Sequence, residues 1–153
     1  MKTNMVVNGE GRKLDFGTFR CWVKDDGTLT ERKSAVLEFE VNPHSVAPPM
    51  HIHRTFAEAF YMLDGEIEFI ADGDAVVAQV GDFVHVPIGV AHTYRNPAVK
   101  PARFLAMMTS SDFIGFFEEF EQLVRTGAVT PQANIALLKK YDTDVVVPQS
   151  RGC

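Results

Sequence analysis

The chain has 153 residues, one domain's worth, and is long enough to bury a real core. Its formal net charge is −5 and its Lys and Arg residues are scattered, so no basic stripe exists to follow a phosphate backbone and nucleic acid is not expected as a partner. No apolar run approaches the roughly 18 residues of a membrane span, and the opening MKTNMVVNGEGRK lacks the apolar core of a signal peptide, so a cytoplasmic protein without a membrane partner is expected. Cys21 and Cys153, the only cysteines, form no metal-ligand pattern and read as free thiols, Cys21 beside Trp22 and Cys153 on a loose tail.

From about residue 17 to 108 the chain reads as short strands separated by turn chemistry. Asp25-Asp-Gly27 breaks one pair, and Val36-Leu-Glu-Phe-Glu-Val41 alternates so that one face is buried and one is wet. Asp64-Gly65 carries a two-residue hairpin signal, because Gly takes positive φ without a Cβ penalty. Asp72-Gly73, Gly81-Asp82 and Pro87-Ile-Gly89 follow at close spacing, a rhythm that fits a small sandwich or barrel, the jelly roll included.

The texture changes after Thr109. Ser111-Asp112 stands where an N-cap and a first-turn acid belong, and Phe113, Phe116, Phe117, Phe120, Leu123 and Val124 then recur at three- and four-residue steps. This spacing predicts an amphipathic helix ending near Gly127, whose Phe stripe covers either the outer face or one mouth of the β structure. A second helix is expected from Pro131 to about Tyr141, with Pro in its first turn, and residues 142–153 as a strand-like arm followed by a loose end.

Within the β region, His51-x-His53, Glu58 and His92 fall at spacings that fit one metal site. Two residues apart on a strand, His51 and His53 project from the same face. Glu58 opens the apolar run to Leu63, and His92 opens His92-Thr-Tyr-Arg-Asn96. An odd spacing bars His53 and Glu58 from one face of one strand, so a turn through residues 54–57 is expected to set Glu58 on the neighbouring antiparallel strand. Imidazole nitrogens and a carboxylate oxygen suit a single divalent ion of Fe, Mn, Ni, Cu or Zn. His44, in a loop before Pro48-Pro49, and His85 are read as bystanders, Asp82 as the support of its turn, and Asn96 as a partner of nearby backbone. By parity Phe60 and Met62 share a face with Glu58, and Tyr94 shares one with His92, which makes these three the expected substrate wall.

Residues 45–65 and 81–96 resemble the two signature motifs of the cupin superfamily. His51, His53, Glu58 and Gly65 stand in the register of the first, and Gly81, Pro87, Gly89, His92 and Asn96 in that of the second. The chain departs from the pattern at Ser45, where the family usually has Gly before the H-x-H. The resemblance implies an all-β, jelly-roll (cupin-like) β-barrel over about 17–108 with C-terminal α-helices over about 111–141 packed outside, one domain across 1–153, and a homodimer. It further implies one divalent transition metal per chain held by His51, His53, Glu58 and His92, with one or two coordination positions open to a substrate. The ligand mixture and the Phe-rich run after the barrel are similar to small quercetin-dioxygenase-like cupins. The activity so implied is dioxygenase-like, on a small aromatic or enolisable molecule, with Glu58 as ligand or base and Tyr94 orienting a bound group. Metal-assisted isomerase, cyclase or lyase chemistry, or ligand binding without turnover, are the competing expectations.

Overall fold

A computed structural model describes residues 3–46 and 48–146. Eleven strands and two α-helices follow in chain order: β1 Arg12–Asp15, β2 Phe19–Asp25, β3 Ala35–Val41, β4 His51–His53, β5 Glu58–Asp64, β6 Glu66–Ala71, β7 Asp74–Gln79, β8 Phe83–Val86, β9 His92–Arg95, β10 Ala102–Met108, α1 Ile114–Thr126, α2 Pro131–Lys140 and β11 Thr143–Val145. No helix among the described residues is long and apolar enough to cross a membrane.

The strands form two antiparallel sheets, β1-β2-β3-β10-β5-β8 and β11-β4-β9-β6-β7. Hydrogen bonding among the described residues therefore gives two open sheets and not the one closed barrel expected from the sequence. Their inner faces meet through aromatic side chains. Phe60 of the first sheet lies 4.8 Å from Phe69 of the second, and Phe104 lies 5.5 Å from Tyr94. Phe60, Phe69 and Phe104 are buried, each stabilising the fold by roughly 1.5–3 kcal/mol.

The two Asp-Gly dipeptides do different things. Asp72-Gly73 is a two-residue hairpin loop between β6 and β7, with φ of 50° and 89°, the double positive φ of a type I′ turn. Asp64-Gly65 joins β5 to β6, which lie in different sheets, so the hairpin expected there is not formed. Gly65, at φ 68°, instead bends one extended segment around the corner between the sheets. A Cβ at that position would lie 2.8 Å from the carbonyl oxygen of Pro101.

On β3 the alternation holds on the inner face, but Glu38 on the outer face is only 6% exposed. Arg103 and Lys24 fold across it as ion-pair partners, so this position is not the wet one that its pattern predicts.

Helix α1 starts two residues later than its expected cap. Phe113 occupies the N-cap without a side-chain hydrogen bond, while Asp112 pairs with Arg32. The amides of Ile114, Gly115 and Phe116 bond back to the carbonyls of Ser111, Asp112 and Phe113, a tight lead-in that replaces the side-chain cap. At the other end Gly127 is left-handed, and Ala128 N–H reaches Leu123 O at 2.9 Å, a Schellman closure. Helix α2 is capped as expected, with Pro131 at its start and Thr130 Oγ1 accepting from Ala133 N–H at 3.0 Å.

Phe117 of α1 lies 5.5 Å from Phe39, whose ring also stacks on Phe104 between the sheets. The Phe stripe thus closes one mouth of the β structure and does not lie on the outer face of a sheet. The expected arm after residue 142 is β11, which pairs with β4. Cys21 is buried and free, and burial pushes its thiol up to about 12. Cys153 lies outside the described residues.

Candidate metal centre

The structure brings His51, His53, Glu58 and His92 together, one ligand atom from each lying within 4.8 Å of all the others. All four are buried. His51 and His92 face each other directly in the β4–β9 ladder. Glu58 does not come from a neighbouring strand, as the odd spacing led us to expect. The neighbours of β4 are β11 and β9, and β5 belongs to the other sheet, so Glu58 reaches across the interior. The turn through 54–57 is therefore a crossing between sheets, which parity alone does not distinguish from a hairpin.

Hydrogen bonds outside the cluster orient each ring. His51 Nδ1 lies 2.8 Å from Pro49 O and His92 Nδ1 lies 3.1 Å from Val90 O. A carbonyl only accepts, so in both rings Nδ1–H donates outward and Nε2 is left as the ligand atom. His53 Nδ1 is 2.9 Å from Thr143 Oγ1, whose own hydroxyl donates to Tyr141 O at 3.1 Å. Thr143 must therefore accept from His53, and the same tautomer results.

Inside the cluster, His53 Nε2 and His92 Nε2 each stand 3.3 Å from Glu58 Oε2. Burial first, then the neighbouring His92 and His53, hold His51 down to about 3, so this ring is neutral near pH 7. Burial pushes the Glu58 carboxyl up, and only positive charge at the His53 and His92 ring nitrogens brings it below the ordinary value. With both Nε2 atoms unprotonated, a cation has to supply that charge. Imidazole lone pairs and an ionised carboxylate then converge with no proton donor of their own between them. Such an array fits a cation. Donors about 2.0–2.2 Å from one ion lie at most some 4 Å apart, so only a slight contraction is needed.

The second motif fastens this arrangement. Gly89 N–H donates to His53 O at 2.9 Å, and Thr93 Oγ1 donates to Pro48 O at 2.6 Å. Asn96 is fully buried, with Nδ2 on the carbonyls of Val41 and Lys100 and Oδ1 accepting from Ala98 N–H. Asp82 accepts from Gln79 N–H at 2.8 Å and holds its turn. His44 and His85 are exposed and outside the cluster.

His51, His53 and Glu58 line a cavity of about 250 Å³, with His92 behind them. Phe60 and Tyr94 line it, whereas Met62, although buried, is not on its wall. Among the described residues the Tyr94 hydroxyl has no hydrogen-bond partner within the protein, and burial pushes its pKa well above the ordinary value, so it stays a neutral donor. Sequence reasoning missed the far wall. Phe113, Phe116, Phe117 and Phe120 line the cavity with Asn134 and Leu138 of α2, and Phe16 and Phe19 close it from the β1–β2 side. The Phe stripe was visible in the sequence, but its target was not. Thr143 gave no signal at all.

Residues 37–108 match the family model described as Cupin domain, and this stretch of the chain is a cupin domain. The chain is 30% identical over 91 residues to the quercetin 2,3-dioxygenase of Bacillus subtilis (strain 168), a match covering 60% of this chain and 27% of that protein. It thus spans about a quarter of the length of that curated relative. Among solved structures it resembles a sugar phosphate isomerase of the cupin superfamily from Silicibacter pomeroyi, with a TM-score of 0.61 and 16% identity over 69% of this chain and 75% of that one. It also resembles a predicted oxalate decarboxylase from Thermotoga maritima, with a TM-score of 0.57 and 22% identity over 60% and 80% of the two chains. At such identities the likeness is one of fold alone.

Proposed function

We propose that this cupin is a mononuclear metalloenzyme with dioxygenase-like activity on a small aromatic or enolisable substrate. The observation that carries the proposal is the union of the His51, His53, Glu58, His92 donor set with a phenylalanine-walled cavity. A likeness to a quercetin 2,3-dioxygenase over 91 residues supports the same reading. The two facing sheets are read as a jelly roll, and residues 1–153 as one domain that works as a cytoplasmic homodimer. The exposed cross-strand pair of Tyr61 on β5 and Phe83 on the edge strand β8 supports dimerisation, since an apolar edge calls for cover.

A redox-active divalent ion at the cluster would supply Lewis acidity and an exchangeable electron. The chain's own residues do the rest. The phenyl walls hold a flat ring and exclude water, and they disfavour sugars, whose hydroxyls would lack partners there. Tyr94, neutral and free to donate, orients an oxygen of the substrate. Glu58 fits a ligand better than a base, because its Oε2 stands 3.3 Å from both His53 Nε2 and His92 Nε2, among the imidazole lone pairs.

The test is oxygen uptake by Fe-, Mn-, Ni- and Cu-loaded protein with flavonols, diketones and catechols. Uptake by one loaded form with one substrate class is expected. If none consumes oxygen while a Zn-loaded form transforms or simply retains a ligand, isomerase-type chemistry or a binding role replaces this reading.

A further inference from the structure

The helical wall of the cavity is apolar with one exception. Phe113, Phe116, Phe117, Phe120 and Leu138 contribute hydrocarbon, and Asn134 contributes an amide. Its Oδ1 is buried and finds no protein donor among the described residues. Leaving such an acceptor unpaired costs about 1–3 kcal/mol. The backbone gives no reason for it, since Asn134 lies within α2, where Asn is a poorer helix former than Leu. Leu138, one turn later on the same cavity wall, shows that an aliphatic side chain suits this face. Helix propensity and packing both favour Leu at position 134, so the reason for an amide lies outside folding.

We infer that Asn134 is a specificity residue: Oδ1 accepts a hydrogen bond from a hydroxyl or N–H on the part of the ligand that meets α2. The inference rests on the aromatic-ligand reading above and sharpens it. The preferred molecule has an oxygen edge for the metal cluster on the strand wall, a flat body for the phenyl rings, and a donor directed at the helical wall. Against an otherwise apolar wall, one acceptor discriminates strongly, because a ligand lacking the donor leaves Oδ1 unpaired and a ligand with its donor misplaced buries an unpaired hydroxyl as well.

The experiment uses Zn-loaded protein, so that binding is read without redox turnover. Titration calorimetry compares 3-hydroxyflavone with derivatives carrying one further hydroxyl at each ring position. In the wild type, one derivative is expected to bind about tenfold more tightly than the parent. Asn134→Leu should abolish that difference while binding the parent at least as well. Retention of the preference in Asn134→Leu, or its absence in the wild type, overturns the inference while leaving the aromatic reading standing. Failure of every flavone, the parent included, to bind either protein refutes the aromatic reading itself. Asn134 is then judged by the thermal midpoint of the ligand-free protein. Asn134→Leu should raise it by a few degrees, and a fall would mean that the amide serves the fold and not a ligand.

Discussion

Thr143 Oγ1 and His53 Nδ1 share a 2.9 Å hydrogen bond across 90 residues of sequence. The hydroxyl gives its proton to Tyr141 O and so can only accept from the ring, which fixes Nε2 toward the other ligands. Thr143→Val keeps the shape and the β-branched strand residue but removes the acceptor. Metal affinity should fall about 10- to 100-fold, as is usual when a partner behind a ligating histidine is lost. Competition with a chromogenic chelator measures it, and an unchanged affinity would mean that the ring holds its tautomer without help.

Among the five histidines, three should matter for metal and two should not. Ala at His51, His53 or His92 is expected to lower occupancy sharply. Ala at the exposed His44 or His85 should leave it near the wild-type level. Elemental analysis of tag-free protein is the readout, and full occupancy in a His51→Ala, His92→Ala double variant would place the ion elsewhere.

Glu38 predicts an acid limb in stability. Burial alone would push its carboxyl up, but Arg103 and Lys24 outweigh this and hold it below the ordinary value of 4.5. The unfolded chain therefore takes up the proton first as pH falls, so the stabilisation is complete well above 4.5 and is lost below it. Glu38→Gln should cost about 1–3 kcal/mol at pH 7 and make the decline below pH 4.5 shallower. Urea midpoints at both ends of that range test the sign, and parallel curves for the two proteins would reject it.

Gly65→Ala forces a side chain into a left-handed residue and sets its Cβ 2.8 Å from Pro101 O. Backbone strain and the clash together should cost about 1–3 kcal/mol. Gly73→Ala provides the control. It suffers the same φ penalty but has open space around its Cβ, so the excess loss at Gly65 in thermal denaturation isolates the close approach.

These two glycines also mark how far the sequence could be read. Both follow Asp in the same dipeptide, and local turn chemistry is the same at each. Only pairing with distant strands makes one a hairpin and the other a corner, and no short window contains that information. The candidate cluster was legible in part because alternation along a strand is local, which put His51 and His53 on one face. The sheet that carries Glu58 was not legible, since an odd spacing says only that the face has changed. The Phe113–Phe120 stripe was legible as an apolar helix face, but the surface it covers depends on where β3 and β10 place Phe39 and Phe104. Asn134 and Thr143 carry no pattern, and their roles come wholly from tertiary contact.

The cupin match ends at residue 108, just before the helices that build the far wall of the cavity. The His–Glu cluster and the helical wall of the cavity are therefore written in consecutive, separable stretches of one gene. Exchange of the segment that holds α1 and α2 for that of another such protein would redirect selectivity while leaving the ion's coordination sphere alone, provided that a hydroxyl is kept where Thr143 supports His53. Diversification by that route needs no intermediate with a broken His–Glu cluster, so a lineage can vary the cavity at little risk to those four residues.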